Sequence, residues 1–68
     1  MNRIEIVTAR QRCAAAFADY QSRLTNVFER AQRGERPSAE QRKAEEQALY
    51  DYAKLRREFL DLIDATAE

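Results

Sequence analysis

Residues that interrupt helices or supply common active-site chemistry are scarce in this chain of 68 residues. It contains one glycine, one proline and one cysteine, and it has no histidine and no tryptophan. A single cysteine excludes an internal disulfide, and without histidine it cannot complete a conventional zinc site. The sequence has no glycine-rich phosphate loop and no nucleophile placed near a plausible base. These absences predict a non-enzymatic protein without catalytic residues, metal or cofactor.

The charges balance, and there is no long apolar run. Twelve basic and twelve acidic residues give a formal net charge of zero, so the basic excess that is typical of nucleic-acid-binding domains is missing. The first residues, MNRIEIVTARQR, hold only a short apolar patch between arginines, which is neither a signal peptide nor a membrane span. We therefore expect a cytoplasmic protein that does not bind a membrane, and the balanced charge argues against nucleic acid as its partner.

Apolar residues recur at alternating steps of three and four along two long segments, which is the spacing of a helical seam. This pattern predicts helices over residues 3–33 and 38–66. Asn2 and Glu5 have capping-box spacing at the start of the first helix, and Arg10 interrupts its seam. The predicted seams are Ile6, Cys13, Phe17, Tyr20, Leu24, Val27 and Ala31 in the first helix, and Ala48, Tyr52, Leu55, Phe59 and Leu62 in the second.

The glycine and the proline both lie in the segment RGERPSAEQ, residues 33–41. Gly34 is the expected left-handed residue that ends the first helix, and Ser38 with Gln41 forms an S-x-x-Q capping box that begins the second. A turn over residues 34–37 is short enough to make the helices antiparallel. The sequence thus predicts an all-α fold: a single hairpin domain over residues 1–68, in which facing residues have numbers that sum to about 71.

A second apolar stripe runs beside each seam, and a lone hairpin cannot bury it. Chains of this size have small cores, and neither a disulfide nor a metal is available to compensate. We therefore predict that two hairpins pair as a homodimeric four-helix bundle; the alternative is a marginal monomer that meets a different protein. Ala14 and Ala53 belong to the stripe, and the predicted dimer interface is Val7, Phe28, Leu49, Leu60 and Ile63.

Two outward rows are candidate contacts for another protein. Tyr50 is an aromatic residue on an otherwise polar row, close to Lys54 and Arg57, and tyrosines ringed by basic residues are typical interface anchors. Arg23 and Arg30 belong to an arginine-rich row of the first helix, which suits an acidic surface or a phosphate backbone. An ordinary solvated surface is the alternative for both rows. The predicted partner-binding residues are Tyr50, Lys54, Arg57, Arg23 and Arg30.

In its length, its turn over residues 34–38, its doubled apolar stripes and its lack of catalytic residues, the chain resembles small inhibitors carried by bacteriophages. One of them is the anti-activator that holds LuxR-type quorum-sensing activators and also acts on a type IV pilus assembly ATPase. The resemblance covers the whole chain and carries over no functional residue. It implies a protein that binds and inhibits a regulatory protein, such as a transcription activator. The alternatives are a structural or co-chaperone subunit of a phage particle or secretion assembly, and a nucleic-acid binder that uses the arginine row.

Overall fold

The computed structural model describes residues 3–66. Two helices, α1 (Arg3–Gln32) and α2 (Ala39–Thr66), are joined by one short turn, and this part of the chain contains no strand. The predicted all-α class is confirmed, and each helix boundary lies within one residue of the predicted one. The capping box predicted for Asn2 and Glu5 depends on Asn2, which lies outside the described residues.

The first helix ends because Gly34 adopts the left-handed conformation that other residues avoid, with φ of 77°. The N–H of Gly34 donates to the carbonyl of Ala31, and the N–H of Glu35 donates to the carbonyl of Arg30, both at 3.0 Å. This pair of bonds is the Schellman arrangement, which satisfies the last carbonyls of a helix. The predicted role of Gly34 is confirmed.

The second helix begins with a reciprocal capping box. The N–H of Gln41 donates to Ser38 Oγ and the N–H of Ser38 donates to Gln41 Oε1, both at 3.1 Å, as the S-x-x-Q spacing predicts. Gln41 Oε1 also accepts a 3.1 Å bond from Arg30 Nη1, and Arg30 Nε lies 3.6 Å from Glu35 Oε2. We call these four residues the turn network; it joins the last turn of α1 to the first turn of α2.

The two helices pack side by side into a rod of 51 × 15 × 14 Å. Tyr52 of α2 contacts two rings of α1: its centroid lies 5.0 Å from that of Phe17, and 6.3 Å from that of Tyr20, whose plane is nearly parallel at 4°. The numbers in these pairs sum to 69 and 72. The predicted antiparallel register near 71 is therefore confirmed.

The seam of α2 lies where the sequence predicts it, but part of the α1 seam is shifted by one residue. Ala9 and Ala16 are half-buried between the helices, whereas Phe17 and Leu24 are largely exposed. Alanine at the contact leaves room for the large side chains of α2, and Phe17 reaches Tyr52 from the edge of the seam. Phe17 thus lies at the edge of the predicted seam, whereas the assignment of Leu24 and Ala31 to the seam was wrong, since both are exposed.

Very little of the hairpin is buried. Ala48, 4% exposed, is the one buried residue among residues 3–66, and none of these residues has a fully buried side chain. The other seam residues of α2, such as Leu55 and Phe59, are half-buried. Because hydrophobic stabilisation scales with the apolar area removed from water, the isolated hairpin is held mainly by a narrow seam and by its turn.

Because Gln41 belongs to the turn network, we expect it to contribute more to the free energy of unfolding than its surface position suggests. Gln41→Ala removes the acceptor for both Ser38 and Arg30, and we expect the free energy of unfolding to fall by about 1 to 2 kcal/mol. Gln41→Glu keeps an acceptor in place and should stay close to wild type. Urea unfolding followed by circular dichroism, at one fixed protein concentration, measures both, with the exposed Gln11→Ala as control. Equal stability of Gln41→Ala and Gln11→Ala would contradict the network's role.

The two tyrosines on either side of Asp51 provide a matched test of the register. Tyr52 is half-buried against Phe17 and Tyr20, whereas Tyr50 is 65% exposed. We expect Tyr52→Ala to lower the free energy of unfolding by about 2 kcal/mol, less than for a fully buried ring, and Tyr50→Ala to change it by less than about 0.5 kcal/mol. Urea unfolding followed by circular dichroism measures both variants. A larger loss of stability for Tyr50→Ala than for Tyr52→Ala would contradict the register.

Candidate functional site

Besides Ile4 and Tyr50, seven large apolar side chains outside the centre of the seam are exposed, from 37% for Ile63 to 61% for Phe28. Most of them directly follow a seam residue in the chain, as Leu49 follows Ala48, so they lie about 100° around the helix from the seam. We call the surface that they form the apolar face. Its large members are Val7, Phe17, Leu24, Phe28, Leu49, Leu60 and Ile63.

The apolar residues of α1 and α2 lie on the same side of the hairpin. A twofold axis perpendicular to both helices relates two antiparallel helices. A residue that is rotated from the seam by a given angle about its helix axis therefore lies on the same side of the hairpin in α1 and in α2. The residues that directly precede the seam accordingly meet on the other side. There, Arg12 and Asp19 of α1 line one groove with Asp51, Lys54 and Glu58 of α2. We call this groove surface the polar face.

The two faces differ in charge as well as in polarity. Arg3 and Arg10 lie in the same seven-residue row as Phe17, and Arg42 and Arg56 lie in the same row as Leu49. Glu46, in the row of Leu60, is the one acidic residue of these rows. Four arginines and one glutamate give the apolar face a net charge of +3. The polar-face groove holds three acidic and two basic side chains, a net charge of −1.

All five residues predicted for the dimer interface lie on the apolar face. Phe28 and Val7 are its most exposed members, and Leu49, Leu60 and Ile63 extend it along α2. The structure thus brings the predicted interface residues together on one surface. Their contact with a second copy stays a prediction.

Three of the predicted partner-binding residues share a surface. Tyr50, Lys54 and Arg57 line one shallow depression on the outer side of α2, together with Leu60 and the acidic Asp61 and Asp64. Tyr50 is 65% exposed, so its ring is available to a partner. This cluster mixes both signs of charge, and its binding role stays a prediction.

Arg23 and Arg30 do not join that cluster. Arg23 Nε lies 3.2 Å from Asp19 Oδ2, one helical turn earlier on α1. Arg30 belongs to the turn network through Gln41 and Glu35. The structure therefore gives Arg30 a part in joining the helices.

Sequence reasoning missed two features of the apolar face. Phe17 and Leu24 were assigned to the seam, although the break at Arg10 indicated that this row of α1 faces outward. The charge of the face was missed as well. Its signal is the spacing of seven residues that places Arg10 with Phe17, and Arg42 and Arg56 with Leu49.

Residues 3–66 contain one thiol and no cluster of metal-binding side chains. Cys13 is a free cysteine, half-buried in the seam. Residues 3–66 contain no cluster of histidine, cysteine, aspartate or glutamate that fits a metal ion. Neither described helix has an apolar stretch long enough to cross a lipid bilayer.

No protein-family model, curated protein or solved structure matches this chain. The function therefore has to be inferred from the surfaces of the hairpin itself.

Proposed function

We propose that this chain is a non-enzymatic protein-binding module that pairs with a second copy through its apolar face and inhibits a regulatory protein by covering part of it. The observation that carries the proposal is the apolar face, whose seven large side chains are 37% to 61% exposed. Contiguous apolar surface of this kind marks an interaction site in soluble proteins. In the proposed homodimer, the two faces form the core of a four-helix bundle.

The apolar area that the two faces can bury sets an upper limit on the strength of the proposed dimer. Full burial of a large apolar side chain is worth about 1.5 to 3 kcal/mol, so burying the exposed part of seven such residues in each of two copies returns roughly 14 kcal/mol. Association costs about 4 to 15 kcal/mol in lost freedom and side-chain ordering. The remainder is at most about 10 kcal/mol, which corresponds to a dissociation constant of tens of nanomolar or higher.

Inhibition in this proposal is occlusion. Both helices are already ordered, which lowers the entropic cost of covering a partner's surface. The cluster of Tyr50, Lys54 and Arg57 stays outside the proposed dimer core and is our candidate contact with the regulatory protein. The resemblance in architecture to phage inhibitors supports two candidate targets, a LuxR-type quorum-sensing activator and a pilus assembly ATPase.

Sedimentation equilibrium over a range of protein concentrations tests the dimer. Leu49→Lys raises the net charge of the apolar face from +3 to +4, and we expect the dissociation constant to rise at least about tenfold, because the added charge is buried without a partner. Tyr50→Lys is the matched control, since it places the same charge on the next residue, outside the face. Circular dichroism checks that both variants remain helical.

Two results would contradict the dimer. One is a well-folded wild-type monomer at every concentration, and the other is an equal effect of Leu49→Lys and Tyr50→Lys. A wild-type chain that is monomeric and poorly helical would instead favour the alternative of a subunit that folds within a larger assembly.

Inhibition is tested on a purified LuxR-type activator bound to labelled DNA. We expect the added hairpin to lower the DNA-bound fraction in fluorescence anisotropy, and Tyr50→Ala to weaken this effect at least about fivefold through loss of its aromatic anchor. Gln47→Ala, one helical turn away, serves as control. An unchanged DNA-bound fraction would exclude this target, and full activity of Tyr50→Ala would exclude the anchor.

A further inference from the structure

We infer that the apolar face also binds an acidic amphipathic helix of another protein, which takes the place of the second copy. The inference deepens the proposed protein-binding function by naming the chemistry of a partner. It uses the apolar face and its charge; two residues of this face, Arg56 and Leu60, also line the depression that contains Tyr50. It also does not require that the dimer be stable.

The charge of the face selects the partner. Arg3, Arg10, Arg42 and Arg56 are exposed, and the ion pairs seen within residues 3–66 involve Arg23 and Arg30 instead. The four arginines are therefore available to carboxylates on a partner. Complementary charge around an apolar contact determines which partner is accepted more than it determines the total affinity.

A second copy of the chain has an apolar face with the same positive net charge, so the two faces repel each other. Two apolar faces brought together contain eight arginines and two glutamates, since each contributes four and one. Like charges placed in one interface disfavour that pairing relative to a partner of opposite charge. A ligand that offers the same apolar area with acidic flanks gains the contacts of the dimer without its repulsion.

The shape of the face suits one helix laid along the hairpin. Its apolar residues run in rows along α1 and α2, and the surface between neighbouring helices accepts the apolar stripe of a third, as in helix-in-groove recognition. The rows of α1 extend from Val7 to Phe28, a span of about 32 Å, which a helix of about 21 residues matches. Carboxylates on both sides of that helix's apolar stripe would meet the arginines.

Two synthetic helices test the inference. Both are about 21 residues long with the same leucine stripe, and they differ only in carrying glutamate or lysine at the flanking positions. We expect the acidic peptide to bind the wild-type protein at least about tenfold more tightly than the basic one at low salt, because only it complements the arginines. Fluorescence anisotropy of labelled peptide measures the affinity, and sedimentation measures the mass of the complex, expected to be one hairpin with one peptide.

Paired variants locate the binding surface. Arg10→Gln with Arg56→Gln should reduce the preference for the acidic peptide at least about threefold, since two of the four complementary charges are lost. Arg12→Gln with Lys43→Gln removes two positive charges from the polar face and the outer side of α2, and should leave the preference unchanged. Circular dichroism verifies the fold of each variant.

The response to added salt distinguishes binding of the acidic peptide from self-association of the hairpin. Screening weakens attraction between opposite charges and also repulsion between like charges. Rising salt should therefore weaken the complex with the acidic peptide and strengthen self-association of the hairpin.

The inference is overturned if the acidic and basic peptides bind equally, if neither binds, or if the Arg12 and Lys43 variant loses the preference as strongly as the Arg10 and Arg56 variant. A wild-type chain that is monomeric yet prefers the acidic peptide would contradict the proposed homodimer and support this inference. A stable dimer that binds neither peptide would support the proposed homodimer and contradict this inference.

Discussion

The side-chain oxygen of Gln41 holds the hairpin in register, because it accepts hydrogen bonds from both helices. It takes the N–H of Ser38 at the start of α2 and the guanidinium of Arg30 at the end of α1, each at 3.1 Å. Gly34 brings these groups within reach by its left-handed turn. Once the register is set there, every residue farther along the rod has a defined neighbour, and the membership of each face follows.

The seam set by this turn is too narrow to make a complete core. Ala48 is the one buried residue of the described part of the chain, and large residues such as Phe28 and Leu49 remain exposed to solvent. A chain built this way gains much of its stability from whatever covers the apolar face. Binding and folding are thereby coupled, since a ligand of the folded hairpin shifts its unfolding equilibrium.

The turn and α2 could be predicted from the sequence because their signals are local. Gly34, Ser38 and Gln41 form motifs whose geometry is contained within a few residues, and the heptad of α2 is unbroken. The α1 seam was only partly predictable. Two adjacent rows of α1 contain apolar residues, and the packing against α2 decides that Ala16, not Phe17, lies at the centre. Arg30 likewise resembles a surface residue until the turn brings Gln41 beside it.

The Tyr20 and Tyr52 rings lie nearly parallel in the seam, with their centroids 6.3 Å apart. Since the chain has no tryptophan, its near-ultraviolet signal comes from three tyrosines and three phenylalanines. One of the tyrosines, Tyr50, lies in solvent, whereas the other two report on the junction of the helices. The molecule therefore carries an intrinsic optical probe of hairpin closure, which requires no introduced label.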